Sequence, residues 1–248
     1  MPSDYNVDIY TALVPAEVDL FGEDEFDVAV VIDVLRATTT LLFALKSGAE
    51  RIIPAESVDV ARQLKQKFPD ALLCGERNGT KIPGFDLGNS PVEYTPENVR
   101  GKVLIYASTN GSVMMKKVSR VAKRVFLASL RNVSAAAEKI YSSGARKVLV
   151  ACSGREGFFS LEDAYCAGML YEELEELAER QVRGANDGTT LAYSLVRYFG
   201  YAVDEIFHRS EHARYLASLG LGEDISLAGE VDADSIVPEV VDGEVRVL

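Results

Sequence analysis

Asp33 closes an apolar run that starts at Val28, and Arg36, Ala37, Thr38, Thr39 and Thr40 follow within seven residues. A carboxylate at the end of a buried strand is costly unless it is paired, hydrogen-bonded or bound to a metal. An arginine fork with hydroxyls beside it suits phosphate, sulfonate or carboxylate. Three further segments repeat this composition after an apolar run: Gly75-Glu76-Arg77-Asn78-Gly79, Ser108-Thr109-Asn110-Gly111-Ser112 and Ser153-Gly154-Arg155-Glu156-Gly157. Each offers hydroxyls, amides, glycine or arginine where a helix could begin, and the free N–H groups and dipole of a helix start favour anions. Any one of these loops is explained as well by N-capping. Four of them at strand ends point instead to one anion crevice, faced by Arg36, Arg77 and Arg155.

The stretch 74–91 holds four glycines and two prolines among both charge signs and amides. A connection longer than about a dozen residues inside a compact domain is usually functional or disordered. Here Glu76, Arg77, Asn78, Lys81, Asp86 and Asn89 can converge on a polar ligand, so an active-site loop is expected. Asp33, Glu76 and Asp163 place carboxylates at the same edge. Hard cations prefer such oxygens, and an anion pocket beside them suggests Mg²⁺. For Asp163 alone, a carboxylate favouring its own helix dipole explains as much.

The elements that must position these residues alternate. Strands are expected at 28–33, 51–54, 72–74, 102–107, 124–128 and 147–151, and helices at 39–46, 58–68, 111–121, 133–143 and 161–179. This pattern implies a three-layer α/β/α arrangement around a mostly parallel sheet, in which ligands bind beyond the carboxyl ends of the strands. The last third changes register. Helices at 187–199 and 210–219 suggest a cap, and 235–240 with 244–247 reads as a short antiparallel edge hairpin around Asp242-Gly243. With no linker, repeat or low-complexity tract, the 248 residues read as a single domain with a second lobe from about 185.

Hydrophobic residues make up 48% of the chain and charged residues 26%, and no apolar run nears the length of a membrane span. Residues 1–10 lack a signal pattern, so a cytoplasmic place is expected. Three cysteines without a Cys-x-x-Cys pair argue against a disulfide framework and a structural zinc, leaving reduced, mostly buried thiols. A net charge of −12 disfavours nucleic acid and would repel an anionic substrate, so positive charge must be concentrated locally. A compact enzyme with an apolar edge also suits a homodimer.

Several chemistries fail on spacing. No Gly-x-Gly-x-x-Gly follows a strand, and 75–81 matches a Walker A loop only loosely. Cys74 and Cys152 stand three residues before Arg77 and Arg155, not the separation a cysteine phosphatase uses. Leu35 occupies the second position of an Asp-x-Asp aspartyl-phosphate motif. His208 and His212 lack the Glu-x-x context of a zinc protease, and a surface position is the simpler expectation, although one could line the cap.

At these residues the chain resembles the 2-phosphosulfolactate phosphatase family of coenzyme M biosynthesis. The matching stretches are 30–40, 74–79 through 84–91, Thr109-Asn110-Gly111, Glu162-Asp163-Ala164, Asn186-Asp187, Ser210-Glu211-His212 and Asp224-Ile225, which span nearly the whole chain. The resemblance implies an Mg²⁺-dependent phosphoric monoester hydrolase of α/β fold that converts 2-phospho-3-sulfolactate to 3-sulfolactate and phosphate. A substrate with three anionic groups would account for several arginines in an acidic protein. The residue chemistry then assigns Mg²⁺ to Asp33 and Glu76, with Asp163 through water. Phosphate goes to Arg36, Thr38, Thr39 and the loop Thr109, Asn110, Gly111, while Arg77 and Arg155 hold sulfonate and carboxylate, with Asn78 and Asn89 nearby. Asp33, and after it Asp163, would activate water or attack phosphorus. Two other readings stay open: a phosphatase for another small phosphorylated 2-hydroxy acid, and a receptor for small phospho or sulfo anions without turnover.

Overall fold

The computed structural model describes residues 7–179 and 181–248, so residues 1–6 of the stretch tested for a signal pattern lie outside the described residues. Among the described residues eleven strands form one sheet. They are β1 (Val7–Ala12), β2 (Phe26–Ile32), β3 (Arg51–Pro54), β4 (Leu72–Arg77), β5 (Thr80–Lys81), β6 (Val103–Ala107), β7 (Ala122–Ala128), β8 (Lys147–Cys152), β9 (Val182–Gly184), β10 (Glu239–Val241) and β11 (Glu244–Arg246). Their order is β5-β4-β6-β3-β11-β10-β7-β2-β8-β1-β9. The helices are α1 (Pro15–Val18), α2 (Ala37–Lys46), α3 (Val58–Lys67), α4 (Pro96–Val99), α5 (Gly111–Val118), α6 (Val133–Ser142), α7 (Leu161–Leu177), α8 (Asp187–Phe199), α9 (Val203–Arg209), α10 (Glu211–Ser218) and α11 (Gly222–Ala228). None is long and apolar enough to cross a membrane.

The pleat of β2 shows why the sheet is covered on both faces. Val28, Val30 and Ile32 enter one core with α6, α7 and the later helices α8–α11, while Ala29 and Val31 enter another with α2 and α5. Successive side chains of a strand point to opposite faces, so a strand apolar at every position must be buried twice. This is the expected three-layer α/β/α arrangement, with a mixed, mostly parallel sheet. The helical last third packs onto the first of these cores through Ala192, Val196, Ile206, Phe207 and Leu216.

Two parallel blocks make up the sheet, β4-β6-β3 and β7-β2-β8-β1-β9. The C-terminal hairpin, expected at an edge, lies between them: β11 pairs antiparallel with β3 and β10 with β7. There it satisfies backbone groups on both block edges that would otherwise stay open. The antiparallel edge is supplied by β5 instead. Three antiparallel steps separate β3 from β7, so the blocks run in opposite senses around the sheet. Their carboxyl ends still meet, because Gly111 after β6 lies against Asp33 after β2.

The stretch 74–91 is only partly loop. β4 continues to Arg77 and turns through Asn78 and Gly79, at φ +52° and +73°, into β5; two left-handed residues are what a tight hairpin needs. Within β4, Gly75 sits at φ +140°, and a Cβ there would lie 1.9 Å from the Ala107 carbonyl oxygen. Gly75→Ala is therefore expected to lower stability by roughly 2–4 kcal/mol, read as a lower urea midpoint at unchanged slope. A midpoint equal to that of the wild type would show that β4 and β6 can separate without loss.

Candidate active site

The ends of β2, β4 and β6 and the loop after β8 open onto one cleft of about 460 Å³, with α10 on its remaining side. Open solvent is counted in that volume, and the enclosed part of the cleft is narrow. Asp33, Arg36, Glu76, Asn78, Asn89, Thr109, Asn110 and Arg155 all line it, joined by His212 and Tyr215.

Asp33 is fixed by the start of α2. Its Oδ1 accepts the Ala37 N–H at 3.0 Å, and its carbonyl accepts the Thr38 N–H at 3.0 Å. Oδ2 has no protein donor among the described residues and faces the start of α5. A Cβ on Gly111 would fall 2.5 Å from the Ala37 Cβ and 2.8 Å from Asp33 Oδ2, so glycine is what lets the two helix starts flank this carboxylate. Burial pushes the Asp33 carboxyl up to about 6; the Ala37 N–H and His212 pull it down, and the charges of Glu76 and Glu162 add to the rise.

Glu76, at the end of β4, ties the Asn78-Gly79 turn to the loop after β6, accepting the Thr109 N–H on Oε1 at 2.8 Å and the Gly79 N–H on Oε2 at 2.9 Å. Arg36 is buried, donating to Asp224 Oδ2 at 2.7 Å and to the Gly79 carbonyl at 2.6 Å. Asp224 in turn accepts the Ser90 hydroxyl at 2.5 Å, which anchors α11 to the loop 82–90. Asn89 accepts the Tyr106 hydroxyl, and Asn110 accepts the Glu156 N–H at 3.3 Å. Arg155 stacks over Tyr215 at 4.3 Å and faces Glu211 at 3.6 Å. At the start of α5 Asn110 makes no side-chain cap, and the Ser112 N–H is taken instead by the Ser108 hydroxyl at 3.0 Å.

Four expected ligands are placed elsewhere. Thr38 and Thr39 are buried and donate their hydroxyls to the carbonyls of Asp33 and Val34, as threonines in a first helical turn readily do. Arg77 turns its guanidinium to the Glu76 and Ala107 carbonyls. Asp163 lies behind the wall, accepting the Val34 N–H at 2.9 Å and the Gly154 N–H at 3.1 Å. Burial, with Asp33 and Glu162 nearby, holds its carboxyl well above the ordinary range. Its place is to join the ends of β2 and β8.

His212, for which a surface position was the simpler expectation, faces the cleft from the first turn of α10. Its Nδ1 is 3.2 Å from Glu162 Oε1, and Ser210 donates to Glu162 Oε2 at 2.7 Å while capping α10 through the Ala213 N–H. Burial pushes the Glu162 carboxyl up, but His212 and Ser210 more than offset this and hold it below its usual value. The available sequence signal was Ser210, a cap that fixes which residues occupy the first turn. The three cysteines are buried and free; burial raises Cys74 to about 12 and Cys152 and Cys166 well above their ordinary value, which keeps them from acting as thiolates.

Among the described residues no three His, Cys, Asp or Glu side chains converge as a ready-made metal cage. Mg²⁺ ordinarily takes one or two carboxylates, keeps waters and completes its shell with substrate phosphate. Asp33, with Oδ2 open, and Glu76, whose oxygens each accept a single backbone N–H, form a donor set of that kind.

Residues 15–243 match the family model described as 2-phosphosulpholactate phosphatase. A relative from Caldanaerobacter subterraneus subsp. tengcongensis is 42% identical over 219 residues, covering 88% of this chain and 89% of its own. One from Deinococcus radiodurans is 37% identical over 228 residues (92% and 93%), and one from Thermotoga maritima 38% over 218 (87% and 89%). Each carries the description "probable 2-phosphosulfolactate phosphatase".

Proposed function

The chain belongs to the 2-phosphosulpholactate phosphatase family, and from that premise we propose that it hydrolyses 2-phospho-3-sulfolactate to 3-sulfolactate and phosphate with Mg²⁺, a step of the coenzyme M type. The observation that carries this reading is the meeting of two carboxylates, Asp33 and Glu76, with two arginines, Arg36 and Arg155, in one small cleft. A pure anion receptor gains nothing from acids beside its ligand unless a metal intervenes. A hydrolase needs them.

Hydrolysis of phosphate monoesters is among the slowest uncatalysed reactions, with accelerations up to ~10²¹, so fixed charge aimed at the transferring group must supply much of the rate. Arg36, immobilised by Asp224 and Gly79, retains unused N–H donors for phosphoryl oxygens. Arg155, held over the Tyr215 ring, meets the sulfonate or carboxylate end. Mg²⁺ held by Asp33 and Glu76 would neutralise charge on the phosphoryl oxygens. In this reading Asp33 also serves the attacking water: its carboxylate would take a proton as the water oxygen bonds to phosphorus.

Phosphate release from phosphosulfolactate and a panel of phosphorylated 2-hydroxy acids, each assayed with Mg²⁺ and with EDTA, tests the reading. Release should be strongest on phosphosulfolactate, fall to background in EDTA and return with excess Mg²⁺. Preference for another ester would change the substrate and keep the chemistry, whereas tight binding without turnover would identify a receptor.

A further inference from the structure

We propose that His212 is the general acid that protonates the departing ester oxygen, with Glu162 as the positioning residue that orients it; the inference rests on the phosphatase reading above. The alcohol oxygen of a hydroxy acid is a poor leaving group and departs far faster when a proton reaches it as the P–O bond breaks. Arg36 and Arg155 cannot release a proton near neutral pH. The Tyr215 hydroxyl is donated to the Asn78 carbonyl, and Ser108 accepts the Ser112 N–H on its hydroxyl oxygen. Asp33 and Glu76 take up the accepting side. Glu156 is mostly exposed and faces Arg155 at 3.9 Å, and the Thr109 hydroxyl, like that of Ser108, is far too weak an acid to give up its proton. Among the described residues of the cleft, the imidazole of His212 is then the group best suited to give up a proton and recover it.

The geometry defines which ring nitrogen acts. Glu162 is fully buried, its Oε2 engaged by Ser210 and its Oε1 by His212 Nδ1. A carboxylate only accepts, so Nδ1 carries a proton and Nε2 is the exchanging atom. Nε2 has no protein partner among the described residues. As the ester P–O bond breaks, its electron pair stays on the alcohol oxygen, which takes the proton of Nε2. Water supplies the oxygen that bonds to phosphorus and gives one proton to Asp33, and solvent returns that proton to His212. Atoms and charge balance as one water consumed, one alcohol and one phosphate formed.

His212→Asn should lower kcat on phosphosulfolactate by about 10²–10⁴-fold, yet change acetyl phosphate hydrolysis by no more than about 3-fold, because a carboxylate departs without a proton. Glu162→Gln should show the same asymmetry at a smaller size. A second readout needs only the ester: the ¹⁸O isotope effect on its bridging oxygen should rise in His212→Asn, reporting departure without a proton. Equal losses on ester and acetyl phosphate, or an unchanged isotope effect, would overturn the proposal. A wild-type chain that releases phosphate from neither compound would remove the phosphatase reading itself, a distinct outcome.

Discussion

Asp33→Asn is expected to reduce phosphate release by about 10²–10⁴-fold and to make the metal-free protein more stable at neutral pH. Asparagine keeps an oxygen to accept the Ala37 N–H, so the junction of β2 and α2 survives. What it removes is a carboxylate charge held out of water. With its carboxyl pushed by burial to about 6, against an ordinary 3.8, folded Asp33 binds a proton over a range in which the unfolded chain has released it. Stability is then complete below about pH 4 and declines as pH rises toward 6, a loss of up to about 3 kcal/mol. Urea titrations in EDTA at pH 5 and pH 7.5 should show about half of this decline, roughly 1.4 kcal/mol, in the wild type and a smaller one in the variant. Wild-type turnover by Asp33→Asn at saturating Mg²⁺ would remove Asp33 from the reaction.

Asp33 was legible because a strand end is a local fact: an acid that closes an apolar run must emerge where the loops gather. Asp163 offers the same side chain in a helix's first turn, and nothing nearby in sequence tells which loops that turn will abut. Tertiary packing sends both of its oxygens to the backbone of Val34 and Gly154. His212 shows the converse. Its orientation in the cleft depends on Glu162 in the first turn of α7, 50 residues earlier, and a histidine on a polar helix carries no trace of that contact. Thr38 and Thr39 spend their hydroxyls on carbonyls five residues back, a local bond that composition does not distinguish from a ligand contact.

The fold divides in the same way. Helix α8 begins and ends where its pattern of apolar residues predicts, and the β3 run stands out at 51–54. Strand β1, in which Val7, Ile9 and Thr11 alternate with Asp8 and Tyr10, is short and was missed, as were α9 and α11. The Asn78-Gly79 turn was hidden inside a stretch so rich in glycine and proline that it read as one loop. That β10 and β11 join two parallel blocks is a non-local pairing, invisible to any window along the chain.

The buried pair Arg36–Asp224 makes the sharpest distinction between stability and activity. Both side chains are about 3% exposed, so deleting one partner strands a charge in the interior. Asp224→Ala is expected to cost about 3–5 kcal/mol and to lower turnover by freeing Arg36 from its position. Arg36→Lys should be milder in stability but lose about 10²–10³-fold in kcat, because one ammonium cannot hold Asp224 and the Gly79 carbonyl while meeting a phosphoryl oxygen. Removing both charges in Arg36→Met with Asp224→Leu should recover stability relative to Asp224→Ala alone, since buried pairs replaced by apolar residues are often neutral. Yet that double variant should remain inactive. Recovery of folding without recovery of phosphate release would mean that the pair is kept for the ligand it orients and not for the fold. If the double variant is instead less stable than Asp224→Ala, the pair contributes to the fold directly.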